Sequence, residues 1–228
     1  VLRLPWNAKL EAPRILPEWE DAAWQLARQK GLRLGKSVLL CPICNSNPRF
    51  PDVFWSTLAR HLLDAGYVVF TNMGGLNNFN APPTMPIAGT IPVELPINLV
   101  IPFANFAGRM ISGGNGMCLL TFLSAPETFK MVQLQHYEKK APPTHSSLGC
   151  RAPLTKGQEL MQFALPELCL KVPLTEYLVP TDGTEDELRH IARMVAEQNT
   201  SDAACYKRYE CNGRLYIEEH ADWLRDLV

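Results

Sequence analysis

Charge of one sign, long apolar runs and regular cysteine spacing are all missing from this sequence, and each absence excludes something. Lys and Arg number 22 against 23 Asp and Glu, a formal charge of -1. No broad basic face for nucleic acid is therefore expected, and any anion site must be local. The longest apolar stretches, such as Leu95 to Ala107, are interrupted by Pro96, Asn98, Pro102 and Asn105. None reaches the roughly 20 residues that span a bilayer, so no transmembrane segment is expected. Val1 to Trp6 carries Arg3 and Pro5 but no apolar core, which argues against a secretory signal, and the missing initiator Met suggests processing or a segment of a longer protein. Seven cysteines at irregular spacing do not form a secreted disulfide framework. Reduced thiols in a cytoplasmic protein are the simpler expectation. There is no Gly-Lys-Ser/Thr ending of a Walker loop, no Gly-x-Ser-x-Gly elbow and no His-Glu-x-x-His. Repeats and low-complexity tracts are absent too.

What is present is a globular composition, 46% hydrophobic and 20% charged, in 228 residues. Pro17 to Lys30 places Trp19, Ala23, Leu26 and Ala27 at helical spacing, acids first and bases last, with Gly31 as the stop. Ser37 to Cys41 is a continuously apolar run of the kind a buried parallel strand shows. From Asp52, the residues Phe54, Leu58, Leu62 and Ala65 keep an i, i+4 stripe as far as Gly66, and Tyr67 to Thr71 reads as the next strand. Strand, helix and strand in this order make a βαβ unit, whose functional loops leave the carboxyl ends of the strands. Gly74 to Leu95 reads as a long irregular connection. A helix over Ile97 to Ala107, a short strand at Arg109 to Ile111, a helix over Met117 to Ser124 and a strand at Lys130 to Leu134 repeat the same grammar.

After Gln135 the pattern dissolves into a basic, Pro- and Ser-containing stretch, Glu138 to Gly157. Glu176 to Val179 could form a further strand. Thr184 with Glu187 forms a capping box at the head of a helix running to Gln198. Near the end stand a short strand at Arg214 to Ile217 and a small amphipathic helix. The expected fold class is α/β, a Rossmann-like parallel sheet flanked by helices with a mostly helical C-terminal extension. Its parts are a helical lead-in over 1–35, a Rossmann-like core over 36–140, and a linker and extension over 141–228.

The sharpest candidate site is Ser112-Gly113-Gly114-Asn115-Gly116. Glycines let backbone approach a ligand closely, and the following helix offers unpaired N–H groups at its positive end, so a diphosphate suits it. A tight turn before a buried helix is the plainer alternative. The loop after the first strand, Asn45 to Arg49, brings the Ser46 hydroxyl and the Arg49 guanidinium fork, suited to oxyanions. Asn72, Gly74 and Gly75 leave the second strand in the same direction and could rim the site. Cys41-Pro42-Ile43-Cys44 is a CxxC that invites a thiol-redox reading or half a zinc site. Zinc would need two more ligands nearby, while Pro48 and Pro51 delay the helix that redox chemistry needs, so buried structural thiols are the preferred reading. No metal site is expected. His61, His136, His145, His190 and His220 form no nucleophile set, and no catalytic residue can be named.

Taken together, Ser37 to Leu134 resembles the C-terminal, donor-binding half of GT-B glycosyltransferases, most nearly the heptosyltransferase-like enzymes of bacterial polysaccharide assembly. The resemblance rests on the loop with Ser46 and Arg49, on the helix pattern Phe54, Trp55, Leu58, Ala59, Leu62 and Gly66, and on Gly114, Asn115 and Gly116 opening a helix that ends at Ser124-Ala125-Pro126. Where that family usually has Ser or Thr before the last glycine and often His soon after, Asn115 and then Met117, Cys118 and Leu119 stand here. The resemblance implies a nucleotide-sugar donor bound without metal or cofactor, its diphosphate held by Ser46, Arg49 and residues 112–116. It also implies a saccharide acceptor, brought by an N-terminal acceptor domain or partner subunit. Two other readings remain: a non-catalytic nucleotide- or carbohydrate-binding module of a larger assembly, and a thiol redox protein using Cys41 and Cys44.

Overall fold

The computed structural model describes residues 13–43, 50–74, 86–113, 116–126, 128–137, 174–180, 182–201, 208–211 and 214–217. Helix α1 (Pro17–Gln29) leads into β1 (Ser37–Cys41), α2 (Asp52–Asp64) and β2 (Val68–Asn72). Next come β3 (Ile91–Val93), α3 (Ile97–Ala107), β4 (Arg109–Gly113), α4 (Gly116–Ser124) and β5 (Lys130–Tyr137). Then follow β6 (Leu174–Pro180), the helix Glu185–Thr200, here α5, and a hairpin of β7 (Arg208–Cys211) and β8 (Arg214–Ile217).

Six strands form one sheet in the order β3-β2-β1-β4-β5-β6, and every pairing is parallel. This is the strand order of the Rossmann fold. Side chains alternate along each strand, so each strand feeds two cores. Leu39, Phe70, Met110 and Met131 face one way and pack with Ala23 and Ala27 of α1, Val100 and Phe103 of α3 and Cys118 of α4. Val38, Leu40, Val69, Ile111 and Val132 face the other way, against Phe54, Leu58 and Leu62 of α2 and Leu188, Ala192 and Val195 of α5. A sheet covered on both faces requires apolar residues at consecutive positions, which is why Ser37 to Cys41 shows no polar alternation.

The aromatic group Phe50, Phe54 and Trp55 fixes the entry to α2. Phe54 and Trp55 meet edge to face at 5.4 Å between centroids, and Phe50 lies 5.5 Å from Phe54. Such pairs add a fraction of a kcal/mol to about 1.5 kcal/mol beyond burial. Helix α3 tolerates Pro102 and ends at Gly108, whose φ of 76° is left-handed and whose N–H donates to the Ala104 carbonyl. At the sheet's opposite, amino edge, α5 ends among cations. Arg109 donates to the Asn199 carbonyl and Lys130 to the Ser201 carbonyl, while the Tyr67 hydroxyl donates to the Thr200 carbonyl at 3.4 Å. Cations at a helix C-terminus satisfy its orphan carbonyls and oppose its negative end.

Four elements differ from the sequence expectation. Ser112 and Gly113 belong to β4 rather than to a loop, because β1 and β5 pair with this strand through Cys41↔Ser112 and Gly113↔Leu134. The connection read as irregular over Gly74 to Leu95 contains β3, whose Pro92 is tolerated at a sheet edge. β5 runs on to Tyr137, paired with β6. β6 and β8 fall where strands were expected, at Glu176 to Val179 and Arg214 to Ile217, whereas β7 was not expected; β6 carries the parallel sheet past residue 140. The stretch Glu138 to Gly157 and the small helix expected to close on Trp223, Leu224 and Leu227 lie outside the described residues.

The capping box at the head of α5 is complete. The Thr184 hydroxyl accepts from the Glu187 N–H at 3.3 Å, and the Glu187 carboxylate accepts from the Thr184 N–H at 2.8 Å. Thr184→Ala is expected to cost about 1 kcal/mol and to lower Tm by roughly 3 °C. A thermal melt followed by circular dichroism checks this, and an unchanged Tm would mean that packing on α2 alone holds the helix.

Candidate functional site

In an open parallel sheet a ligand crevice forms where adjacent strands send their connections to opposite faces. Here that place is between β1 and β4. The connection after β1 leads to α2 on one face, and the connection after β4 leads to α4 on the other. The two carboxyl ends are neighbours, with Cys41 opposite Ser112.

The candidate residues fall around this point as follows. Ser112 is fully buried near the end of β4, and its hydroxyl donates to the Gly113 carbonyl at 3.0 Å. Gly113 is the last residue of β4 and Gly116 the first of α4. Gly114, Asn115, Ser46, Arg49 and Gly75 lie outside the described residues. So does Cys44, in the segment that follows Ile43 and precedes Phe50. A strand delivering its last residue to a helix N-terminus across two residues brings backbone donors and the helix dipole to one spot.

Asn72 is the last residue of β2, and its amide is turned inward. Its Oδ1 accepts from the Gly74 N–H at 3.0 Å and from the buried Leu95 N–H at 3.2 Å. Its Nδ2 donates to the Cys41 Sγ at 3.9 Å. One side chain thus ties the exits of β1 and β2 to the turn between β3 and α3. Gly74 is needed for the same approach, since a Cβ there would lie 2.6 Å from the Leu95 carbonyl oxygen. These residues fix the backbone at the exits of β1, β2 and β3.

Burial pushes the Cys41 thiol well up from its ordinary value, the neighbouring Cys118 pushes it further, and the Asn72 donor only partly offsets them. The thiolate is the nucleophilic form, so a redox role for Cys41 does not fit this environment. Among the described residues no three His, Cys, Asp or Glu gather as metal ligands, and no helix is long and apolar enough to cross a membrane.

A row of residues, of which sequence reasoning missed Gln133 as it missed Thr121 on α4, runs across the sheet on the α4 face. One pleat below the carboxyl edge the residues are apolar: Phe70, Leu39, Met110 and Met131. One pleat further the same face carries Asn72, Cys41, Ser112 and Gln133, in register as Cys41↔Ser112 and Ser112↔Gln133. Gln133 is 5% exposed and its Oε1 has no hydrogen-bond partner; on α4 the hydroxyl of fully buried Thr121 has none either. The signal was available as a repeated apolar-x-polar ending, Leu39/Cys41, Phe70/Asn72, Met110/Ser112 and Met131/Gln133.

The strand order and the placement of the helices define a doubly wound α/β domain of Rossmann type with its switch point between β1 and β4. No family model matches the sequence, and no curated protein does. Among solved structures, a glycosyl transferase of family 9 from Veillonella parvula is similar at 12% identity, over 74% of this chain and 42% of that one, with a TM-score of 0.46. The E. coli ADP-heptose lipopolysaccharide heptosyltransferase II is similar at 14% identity, over 87% of this chain and 57% of that one, with a TM-score of 0.48. The chain therefore spans well under two thirds of either structure's length.

Proposed function

We propose that this chain is the donor-binding half of a metal-independent glycosyltransferase of GT-B type, gripping a nucleotide-sugar by its diphosphate. The observation that carries the reading is the adjacency of β1 and β4, with Cys41 opposite Ser112. It supports convergence of the loop bearing Ser46 and Arg49 with the glycine-rich passage from Ser112 to Gly116. In that site the backbone N–H groups entering α4 meet the diphosphate oxygens, and Arg49 neutralises charge that grows on the leaving group as the glycosidic bond breaks. Asn72, Gly74 and Gly75 form the rim. A saccharide acceptor, and the group that activates it, come from an N-terminal acceptor domain or a partner subunit. Cytoplasmic synthesis of a polysaccharide or glycoconjugate is the setting this implies.

The test is thermal stabilisation by UDP-glucose, GDP-mannose, ADP-glucose and a CMP-linked sugar. At a ligand concentration of ten times Kd, mass action gives about 1.4 kcal/mol, or roughly 4 °C. Gly116→Val should abolish the response by blocking close approach, and Arg49→Ala should reduce it. No response to any donor removes the reading. Binding without transfer or donor hydrolysis, once an acceptor and the acceptor domain or partner subunit are supplied, makes the chain a non-catalytic module.

A further inference from the structure

We infer that Gln133 is a sugar-reading residue of this site, its side-chain carbonyl held unpaired to accept a hydrogen bond from a hydroxyl of the donor's glycosyl group. The inference rests on the donor-binding reading above and adds to it a contact on the neighbouring strand. Gln133 alternates with Met131, which packs against the helices on the α4 face, so Gln133 faces the same way. It pairs in register with Ser112, and adjacent strands lie about 4.8 Å apart. That separation is close to the width of a pyranose ring. A diphosphate at the entry to α4 therefore leaves its attached sugar within reach of β5.

The chemistry of the orphaned atom names the ligand class. An amide oxygen buried without a partner can accept a hydrogen bond, and a sugar hydroxyl can donate one. Phosphate oxygens, which only accept, cannot. Thr121 presents a second unpartnered oxygen from α4 on the same side of the sheet. The last torsion of a glutamine is broad, so the amide can turn to meet a hydroxyl without moving β5. A buried acceptor left unpaired destabilises the free protein, and the ligand's hydroxyl would relieve that cost.

Two measurements with the panel member that stabilises most decide the matter. Gln133→Met keeps the side chain's length and removes the acceptor. Its free-protein Tm should rise by roughly 3 °C. Its Kd for the nucleotide-sugar should weaken roughly fivefold, while its Kd for the matching nucleoside diphosphate stays unchanged. On the unaltered protein, donors deoxygenated or fluorinated one position at a time should include a single position that reproduces the loss, and that analogue should lose nothing more on Gln133→Met. The analogue series stands alone if the variant does not fold. Equal loss for the diphosphate alone, an unchanged nucleotide-sugar Kd, or no hydroxyl whose removal matters overturns the role of Gln133 while leaving diphosphate binding intact. Failure of the unaltered protein to bind any donor removes the donor-binding reading itself.

Discussion

Asn72→Ala is expected to lower the free energy of unfolding by about 2 to 5 kcal/mol, a large share of the stability a domain typically has. The magnitude follows from what its side chain holds. The Gly74 and Leu95 N–H groups both donate to Oδ1, and the bond to Leu95 is buried. Alanine leaves both donors without that acceptor, and a buried orphan N–H costs about 1 to 3 kcal/mol. The exits of β1, β2 and β3 should loosen together, since Asn72 also touches Cys41. Gly74→Ala attacks the same junction from the other side by forcing a Cβ to within 2.6 Å of the Leu95 carbonyl oxygen. Because the two act on one contact, their costs should add to less than the sum. Urea unfolding of the two single variants and the double variant measures this. An Asn72→Ala midpoint equal to that of the parent would mean that the turn into α3 is held elsewhere.

Stability should also fall steeply above about pH 9, at up to roughly 1.4 kcal/mol per pH unit, through one buried thiol. In the unfolded chain Cys41 loses its proton near its ordinary value of 9.0, whereas in the fold burial and Cys118 hold the proton on. Below that pH both states carry the proton, and the group adds no slope. Above it the unfolded state binds fewer protons than the native one, so rising pH favours unfolding. Cys41→Ala should flatten the alkaline limb of a stability-against-pH curve, and subtracting the two curves cancels the lysines and tyrosines that titrate there as well. A companion measurement is alkylation by iodoacetamide at pH 8, in which Cys41 should label only after denaturation. An identical alkaline slope in parent and variant would show that Cys41 is ionised in the fold.

Much of the layer was legible because its signals are local. Phe54, Leu58 and Leu62 mark α2 by period, Ser37 to Cys41 marks a strand buried on both faces, and Thr184 with Glu187 marks the start of α5. What stayed hidden depends on neighbours far away in sequence. β3 is three residues long and contains Pro92, so only pairing with β2 identifies it. Ser112 and Gly113 look like loop residues until β1 and β5 are seen on either side. The candidate site was half visible for the same reason. A glycine cluster before an apolar helix can be read from composition. That the Asn72 amide is taken up by the Gly74 and Leu95 N–H groups and by Cys41, and that Gln133 stands beside Ser112, follows only from the folded arrangement.

The strand order has a consequence for how the chain is made. β1 sits in the middle of the sheet, yet its partner on one side, β4, begins at Arg109. During synthesis β1, β2 and β3 therefore emerge first, and any half-sheet they form lacks β4. Its open flank is the backbone edge of β1, with Val38, Leu39 and Leu40 alongside. An exposed apolar edge of this kind is a template for pairing with another nascent chain. At translation rates of about 5 to 20 residues per second, it stays open for seconds until β4 arrives. β1, central in the finished sheet, is thus the strand in greatest need of chaperone cover beforehand.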